Sequence, residues 1–421
     1  MSTPTADVAA LARAAAISVL QDNRRKGQSS ELALDYDYTC PSPDSYPFQW
    51  YWDSCFHAIA LTHLDPQRAR AEIISLLRGA DLGGFVPHML LWQDDLRRRA
   101  VDDFRIALWG TWRTPTMAPP VLARAVHRIH EVATATTEHK QWLASVLPAV
   151  TKQFDWLAER RAGPDGLLMI FQPDESGLDS SPKYDAALGL SPTSPHVGAD
   201  WHQAMRELIG GYPTVRTPEQ NLLGHRRFVW IDVLVNTIYA DGLRCLAELS
   251  GHHGQRFARR ADQVLRSLLD RCWDERRGIF WDIDALTGEP AKALTATSLF
   301  PLVLPDLPTP VATRLTAHLL DEDEFWLPYP VPSVAANEPS FDADFTTGAI
   351  FRGSSWVNLN WYLHRGLHAH GMHDIAAELA LRTAQMTAKS GMRECYGPLK
   401  ATGHGARMFG WSSLVLDMIA T

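Results

Sequence analysis

No stretch of the 421 residues runs to about 20 consecutive apolar side chains, so no segment is built to span a bilayer as a helix. Cysteine is sparse. The five thiols, Cys40, Cys55, Cys245, Cys272 and Cys395, are an odd, widely spaced set without a C-x-x-C pair, which argues against a disulfide framework or a zinc site and for reduced core thiols. Positive charge is never gathered into a stripe: the formal net charge is −8 and the arginines sit singly or in short clusters such as Arg97 to Arg99, so nucleic acid is a poor partner. The amino-terminal stretch "MSTPTADVAALARAAAISVL" lacks a basic leader region and a long apolar core, and reads as the first helix of a cytoplasmic protein. Glycine-rich phosphate loops, a serine-histidine-acid order and zinc-ligand spacing are missing too. So is any Pro- or Ser-rich linker, which predicts one domain over residues 1–421.

What is present is helical periodicity and tryptophan. Apolar residues recur at i, i+3, i+4 and i+7 in "ADVAALARAAAISVL", "PQRARAEIISLLRGA", "PPVLARAVHRIHEVA", "EHKQWLASVLPAVTKQFDWLAERR", "VLVNTIYADGLRCLAEL", "GQRFARRADQVLRSLLDRCW", "PTPVATRLTAHLL" and "HDIAAELALRTAQMTAKS". No comparable set of alternating strand segments exists. "GPDGLLMIFQPDESG" echoes "DERRGIFWDIDALTG": each follows a long helix with a polar turn, a short apolar hairpin-like stretch and an acidic loop. Helix pairs repeated around one axis predict an all-α (α/α) toroid whose loops line a central pocket. Fifteen tryptophans are more than core filling needs, and several sit beside acids in loops, as in "FQWYWDSCF" and "LLWQDD". Flat aromatic faces beside carboxylates suit a sugar ring, although packing between helices also uses tryptophan.

The loop "QPDESGLDSSP", Gln172 to Pro182, gathers Asp174, Glu175 and Asp179 with no positive charge. Cleaving a glycosidic bond requires removal of up to ~20 kcal/mol of barrier, which stacking worth ~1 kcal/mol cannot supply. Two carboxyl groups can: a protonated acid on the leaving oxygen, and a carboxylate that attacks the sugar or activates water. An acid holds its proton near neutral pH only in an apolar or negatively charged neighbourhood, which this loop offers. Asp179 is the expected general acid and Glu175 its rival. The competing reading makes Asp179 the cap of a helix beginning at "SSPKYDAAL". The partner must come from far along the chain, and Glu394 in the Gly-rich "SGMRECYGPLKATGHGARMFGWSS" is the candidate. Asp53, which follows Trp50 and Trp52 in "QWYWDSCFHA" at the start of an apolar helix, is either a helix cap or an acceptor for a sugar hydroxyl. His57 and His88 are read as buried histidines first and substrate contacts second. The acids of "DEDEF", Asp321 to Phe325, are too closely spaced for an EF-hand loop and read as a solvated turn. No metal or cofactor is called for.

Taken in order, "WYWDSCFHA", "GGFVPHM", "ESGLDSSP", "FVWIDVLVN", "FRGSSWVNLNW" and "MRECYGP" followed by "FGWSS" resemble the motifs of glycoside hydrolase family 63, which includes processing α-glucosidases and bacterial mannosylglycerate and glucosylglycerate hydrolases. The resemblance runs from about Tyr46 to Asp417. It implies an (α/α)6 barrel with short hairpins, inversion at the anomeric carbon, Asp179 as general acid and Glu394 as general base. It also implies sugar contacts from Trp52 and Asp53, from Arg352, Gly353, Trp356 and Asn358, and from Trp411. Tyr46, Trp50, His88, Glu175 and Gly177 complete the expected binding set. Departures occur where the glycerate-releasing enzymes carry a Gln before Pro-Pro, here Ala118, and a Tyr-Trp before Arg-Gly-Pro, here Ile350 and Phe351. The expectation is therefore an exo-acting inverting α-glucosidase on a small α-glucoside with a different, less polar aglycone, and a glucosylglycerate or mannosylglycerate hydrolase is the alternative. A sugar epimerase or lyase on the same toroid, and a sugar-binding protein without catalysis, are the rivals from other classes. A small carbohydrate is the expected partner, with homo-oligomerisation left open.

Overall fold

The computed structural model describes residues 4–97, 100, 112–134, 136–211 and 227–420, with the side chains of 4–6 aside. Arg98 and Arg99 of the arginine cluster lie outside the described residues. Six segments form a closed inner ring: Tyr51–Leu61, Leu122–Val132, Val233–Leu249, the 3-10 segment Ala296–Val303, Val357–Ala369, and a 3-10 turn Gly410–Leu414 running into Val415–Met418. Each packs on the next and the last packs on the first. An outer layer covers them. Pro66–Arg78 lies against Tyr51–Leu61, Thr137–Arg160 against Leu122–Val132, Gln255–Arg271 against Val233–Leu249, Thr309–Leu319 against Ala296–Val303, and His373–Ser390 against Val357–Ala369. Pro4–Asp22 closes the layer on His373–Ser390 and the last inner segment. This is an (α/α)6 toroid with short hairpins.

The two layers obey different sequence rules. Gln255–Arg271 buries Phe257, Ala261, Val264, Leu265 and Leu268 on one stripe and turns its arginines outward. Tyr51–Leu61, in contrast, is buried at every position. A helix surrounded by protein has no polar face and therefore no stripe to detect. Periodicity picks out the outer layer and also the inner Leu122–Val132 and Val233–Leu249, but misses Val357–Ala369, Ala296–Val303 and the extra helix Val197–Gly210. The echo is real at the level of local structure: Ala162 bridges Leu168, and Trp273–Asp274 pairs with Ile279–Phe280. Met169–Ile170 and Ile283–Asp284 then flank Trp230–Ile231 in one three-stranded sheet.

Chain direction puts the amino-terminal ends of the inner segments at one end of the ring. Trp50 precedes the first, Asp232 caps the third through Val235 N–H (2.8 Å), Trp356 precedes the fifth and Phe409 the sixth. At the carboxy-terminal segment Asp417 ties three inner segments together: its Oδ1 accepts from Arg128 (2.7 Å) and lies 2.7 Å from His63 Nε2, and its Oδ2 accepts from Trp361 Nε1 at 2.8 Å. Among the described residues, no helix is long and apolar enough to cross a membrane. Replacing Asp417 with Ala strands Arg128 and the Trp361 indole N–H; we expect a loss of ~3 kcal/mol in denaturant unfolding at neutral pH, and a loss below ~1 kcal/mol would contradict the role given to this carboxylate.

Candidate active site

The acids of the Gln172–Pro182 loop divide by whether a cation meets them. Glu175 is fully buried and takes both Arg161 guanidinium nitrogens at 2.8 Å, with Phe171 N–H (2.8 Å) and Met117 N–H (3.0 Å) on the remaining lone pairs. Its acceptor sites are spent inside the protein and it does not line the cavity. The expectation that Glu175 binds sugar or rivals Asp179 as acid is thus corrected: it is an anchor. Lys183 is buried against Asp232 (2.6 Å) and Asp282 (3.4 Å), and the Tyr184 hydroxyl also donates to Asp232 (2.6 Å). Asp185 is gripped by both terminal nitrogens of the buried Arg352. Asp174 and Asp179 have no such partner among the described residues, and both face the cavity.

Asp179 does not cap a helix. Pro182–Tyr184 is a 3-10 turn whose cap position is Ser181, without a side-chain bond. The Asp179 backbone carbonyl accepts from Trp201 Nε1 at 3.0 Å, and the Ser180 hydroxyl donates to the Ile350 carbonyl. Before it, Gly177 ends a 3-10 turn at φ 71°, and a Cβ there would lie 2.3 Å from the Trp52 ring. Only glycine lets the loop lie this close to the indole. Burial pushes the Asp179 carboxyl up to about 6. Burial also drives Asp174 well above the carboxylate range, with Asp179 and then Glu175 adding to it. The rise at Asp179 is thus the work of burial, and not of the acidic neighbourhood expected to cause it.

Glu394 lies on the hairpin Arg393–Tyr396 with Gly403–Arg407, at a register shift between Arg393 and Cys395. A bulge bends the strand and re-aims its side chain. Ala406 N–H donates to Oε2 at 2.8 Å and the Tyr46 hydroxyl to Oε1 at 3.5 Å. Gly405, at φ 63°, passes so close that a Cβ would sit 2.4 Å from Oε2. The Glu394 carboxyl is raised to about 7, by burial first and by Asp179 as well, with the Ala406 N–H and Tyr46 working against the rise. Trp411 Nε1 donates to the Glu394 carbonyl at 3.0 Å. Its ring stands edge-on to Trp52, with centroids 5.6 Å apart, and 4.4 Å from Phe409.

One cavity of about 550 Å³ collects Asp179, Glu394, Asp53, Asp174, Tyr46, Trp50, Trp52, His88, Gly177 and Trp411. Asp53 Oδ1 is buried without a partner in the described protein, and burial, then Glu394, raises its carboxyl well above the usual range. His88 meets the Trp50 edge at 5.2 Å and is lowered to about 4 by burial, so its ring is neutral. His57 lies off the cavity under Gly410, fully buried and lowered to about 3. Arg352, Gly353, Trp356 and Asn358 stand behind the lining and do not form it, which corrects their expected place as direct sugar contacts. Arg352 acts through Asp185, Gly353 N–H donates to Ser333 at 3.0 Å, and Trp356 stacks on Phe351 at 3.8 Å. Asn358 is fully buried within its helix. Of the departures, Ala118 is buried off the cavity while Ile350 and Phe351 line it. Sequence reasoning missed Trp201, His202 and Ile209 on the Val197–Gly210 helix, together with Phe345 and Phe409. The "GADWHQ" tryptophan beside an acid was the one available signal.

Residues 46–412 match the model of the mannosylglycerate hydrolase MGH1-like glycoside hydrolase domain. The chain is 26% identical to a mannosylglycerate hydrolase of Rubrobacter radiotolerans over 93% of this chain and 96% of that protein. It is 24% identical to a glucosylglycerate hydrolase of Mycolicibacterium hassiacum, over 90% and 94% respectively. A crystal structure of the GH63 mannosylglycerate hydrolase of Thermus thermophilus in complex with glucose superposes with a TM-score of 0.79 at 26% identity, covering 97% of this chain and 100% of that one.

Two variants test this construction of the site. Gly177→Ala forces a side chain into the Trp52 ring at positive φ and should cost ~1–3 kcal/mol of stability; a loss under ~0.5 kcal/mol in thermal unfolding would contradict the close approach. Glu175→Gln leaves Arg161 buried without its counter-charge and should cost ~3–5 kcal/mol, whereas an unchanged midpoint would show the pair to be dispensable.

Proposed function

The chain belongs to the MGH1-like glycoside hydrolases of family GH63 and is a glycosidase, and from that premise we propose that it is an inverting, exo-acting hydrolase of a small α-hexoside. Asp179 protonates the glycosidic oxygen as the bond to the anomeric carbon breaks. Glu394 takes a proton from the water that attacks that carbon from the opposite face. The observation that carries this reading is the meeting of Asp179, from a mid-chain loop, and Glu394, from a carboxy-terminal hairpin, on one cavity walled by Trp52 and Trp411. Trp52 and Trp411 offer stacking faces for a pyranose, and Asp53, Tyr46 and His88 offer acceptors and donors for its hydroxyls. The released sugar is glucose or mannose. The relatives' names favour a two-part hexoside of the mannosylglycerate or glucosylglycerate kind over a generic α-glucoside. An epimerase or lyase reading has no comparable support, since burial weakens both cavity histidines as bases and keeps the Tyr46 hydroxyl from ionising. Residues 1–421 are read as one catalytic domain, supported by a single main core that runs from Ala12 to Met418. Five unpaired, buried cysteines support a reducing, cytoplasmic setting.

A panel of mannosylglycerate, glucosylglycerate, glucosylglycerol, trehalose and isomaltose, scored by free hexose, should yield at least one substrate. On that substrate Asp179→Asn and Glu394→Gln should each lower kcat by ~10²–10⁴-fold with unchanged circular dichroism. Near-normal turnover by either variant would remove its residue from the mechanism. With Asp179 at about 6 and Glu394 at about 7, kcat/KM should be bell-shaped, falling below the first value and above the second, with both limbs belonging to the pair. A profile flat from pH 5 to pH 9 would contradict it.

A further inference from the structure

Two aromatic residues, Phe345 (φ 57°) and Phe351 (φ 59°), hold a left-handed backbone, and both line the cavity. A bulky side chain seldom adopts this conformation, because its Cβ crowds the following carbonyl oxygen; glycine or asparagine is the ordinary choice. At Phe351 packing offsets the strain, since the ring is 2% exposed and stacks on Trp356 at 3.8 Å. Phe345 gains less from the fold. It is only partly buried, and the ring it meets among the described residues is His404, tilted and 5.8 Å away.

The loop around Phe345 imposes the backbone conformation without using the phenyl ring. Asp342 Oδ1 accepts from the Thr346 N–H (3.0 Å) and hydroxyl (3.1 Å), and its Oδ2 accepts from the Thr347 N–H and hydroxyl, both at 2.8 Å. Gly348 N–H donates to the Phe345 carbonyl at 3.4 Å, and Asp342 N–H closes the base of the loop on the Arg352 carbonyl at 2.6 Å. The start of the helix Val197–Gly210 lies against the far side, where a Cβ on Gly198 would sit 2.6 Å from the Thr347 carbonyl oxygen. Each of these bonds uses backbone or the side chains of Asp342, Thr346 and Thr347, so a glycine at position 345 would serve the loop equally and without strain. The chain nevertheless keeps a ring there. One side of it rests on His404, which stands opposite Cys395 in the hairpin that carries Glu394, and the ring lines the cavity as well. Strain that the local fold does not need, held at a cavity, points to what the cavity binds.

We propose that Phe345 is a substrate-contact residue, its ring kept at the cavity despite the backbone strain in order to pack on a carbon face of the bound sugar compound. The identity of that compound as a substrate rests on the hydrolase reading above. A phenyl ring has no polar atom to answer charge developing in the transition state, so its contribution belongs to binding and falls on KM. Two variants separate ring from strain: Phe345→Ala removes the ring and leaves a Cβ at positive φ, whereas Phe345→Gly removes both. On the panel compound that the wild type hydrolyses best, each should raise KM by ~5-fold or more with kcat within ~2-fold of wild type. In thermal unfolding the Phe345→Gly protein should melt above the Phe345→Ala protein. An unchanged KM in either variant, or a Phe345→Gly protein that melts below Phe345→Ala, overturns the inference and leaves the hydrolase reading in place. Should the wild type hydrolyse no compound of the panel, the hydrolase reading falls, and calorimetric titration with glucose and mannose decides the inference by itself. Weaker binding by Phe345→Gly than by the wild type then sustains it; equal binding, or no binding by the wild type, overturns it.

Discussion

Three buried ion pairs within eleven residues decide where the cavity's acids sit. Glu175 with Arg161, Lys183 with Asp232 and Asp282, and Asp185 with Arg352 fasten the loop to the outer helix, to an inner helix start and to the Arg352 segment. Such pairs add little net stability, since desolvating two charges offsets most of their attraction. What they supply is position: a loop without regular structure is fixed at three points, and its two acids without cations are left facing inward. Burial then does the rest, because an unpaired carboxyl away from water holds its proton.

The toroid makes this possible. Six inner segments start at one end of the ring, so Trp50 and Trp52, Trp356, and Phe409 and Trp411 arrive together although the chain separates them widely. The loop enters over Trp52 because Gly177 has no side chain, and Glu394 enters on a bulged hairpin because Gly405 has none. Trp356, behind the cavity, stacks on Phe351 and meets Trp411 edge-on, and Trp411 meets Trp52 edge-on, so three lining rings are joined through one chain of aromatic contacts. Rigid walls of this kind cost little reordering when a sugar binds.

Much of the fold was legible, and for an identifiable reason: outer helices are amphipathic, and Gln255–Arg271 or Thr137–Arg160 announce themselves by period. The inner Leu122–Val132 and Val233–Leu249 were legible too, but Val357–Ala369 is buried from Val357 to His364 and carries no stripe to read. Motif order singled out Asp179, Glu394, Trp52 and Asp53, which the fold brings to one cavity, yet spacing could not separate Glu175 from Asp174. The distinction depends on Arg161, which lies beyond the hairpin, and no local pattern reports it. Arg352 was expected as a ligand because the resemblance implied it; in three dimensions its charge is spent on Asp185. Trp201, His202 and Ile209 line the cavity from the helix Val197–Gly210, which no periodic segment announced, so that part of the lining was the least visible from sequence.

The account stands on one water held between Asp179 and Glu394 on opposite faces of the sugar. Proton NMR recorded in the first minutes of turnover of an α-hexoside, before mutarotation, reads that directly. The β-anomer as first product is what the paired arrangement predicts; the α-anomer would mean that a covalent intermediate forms and that the two carboxyls do not act as an acid and a base across a water.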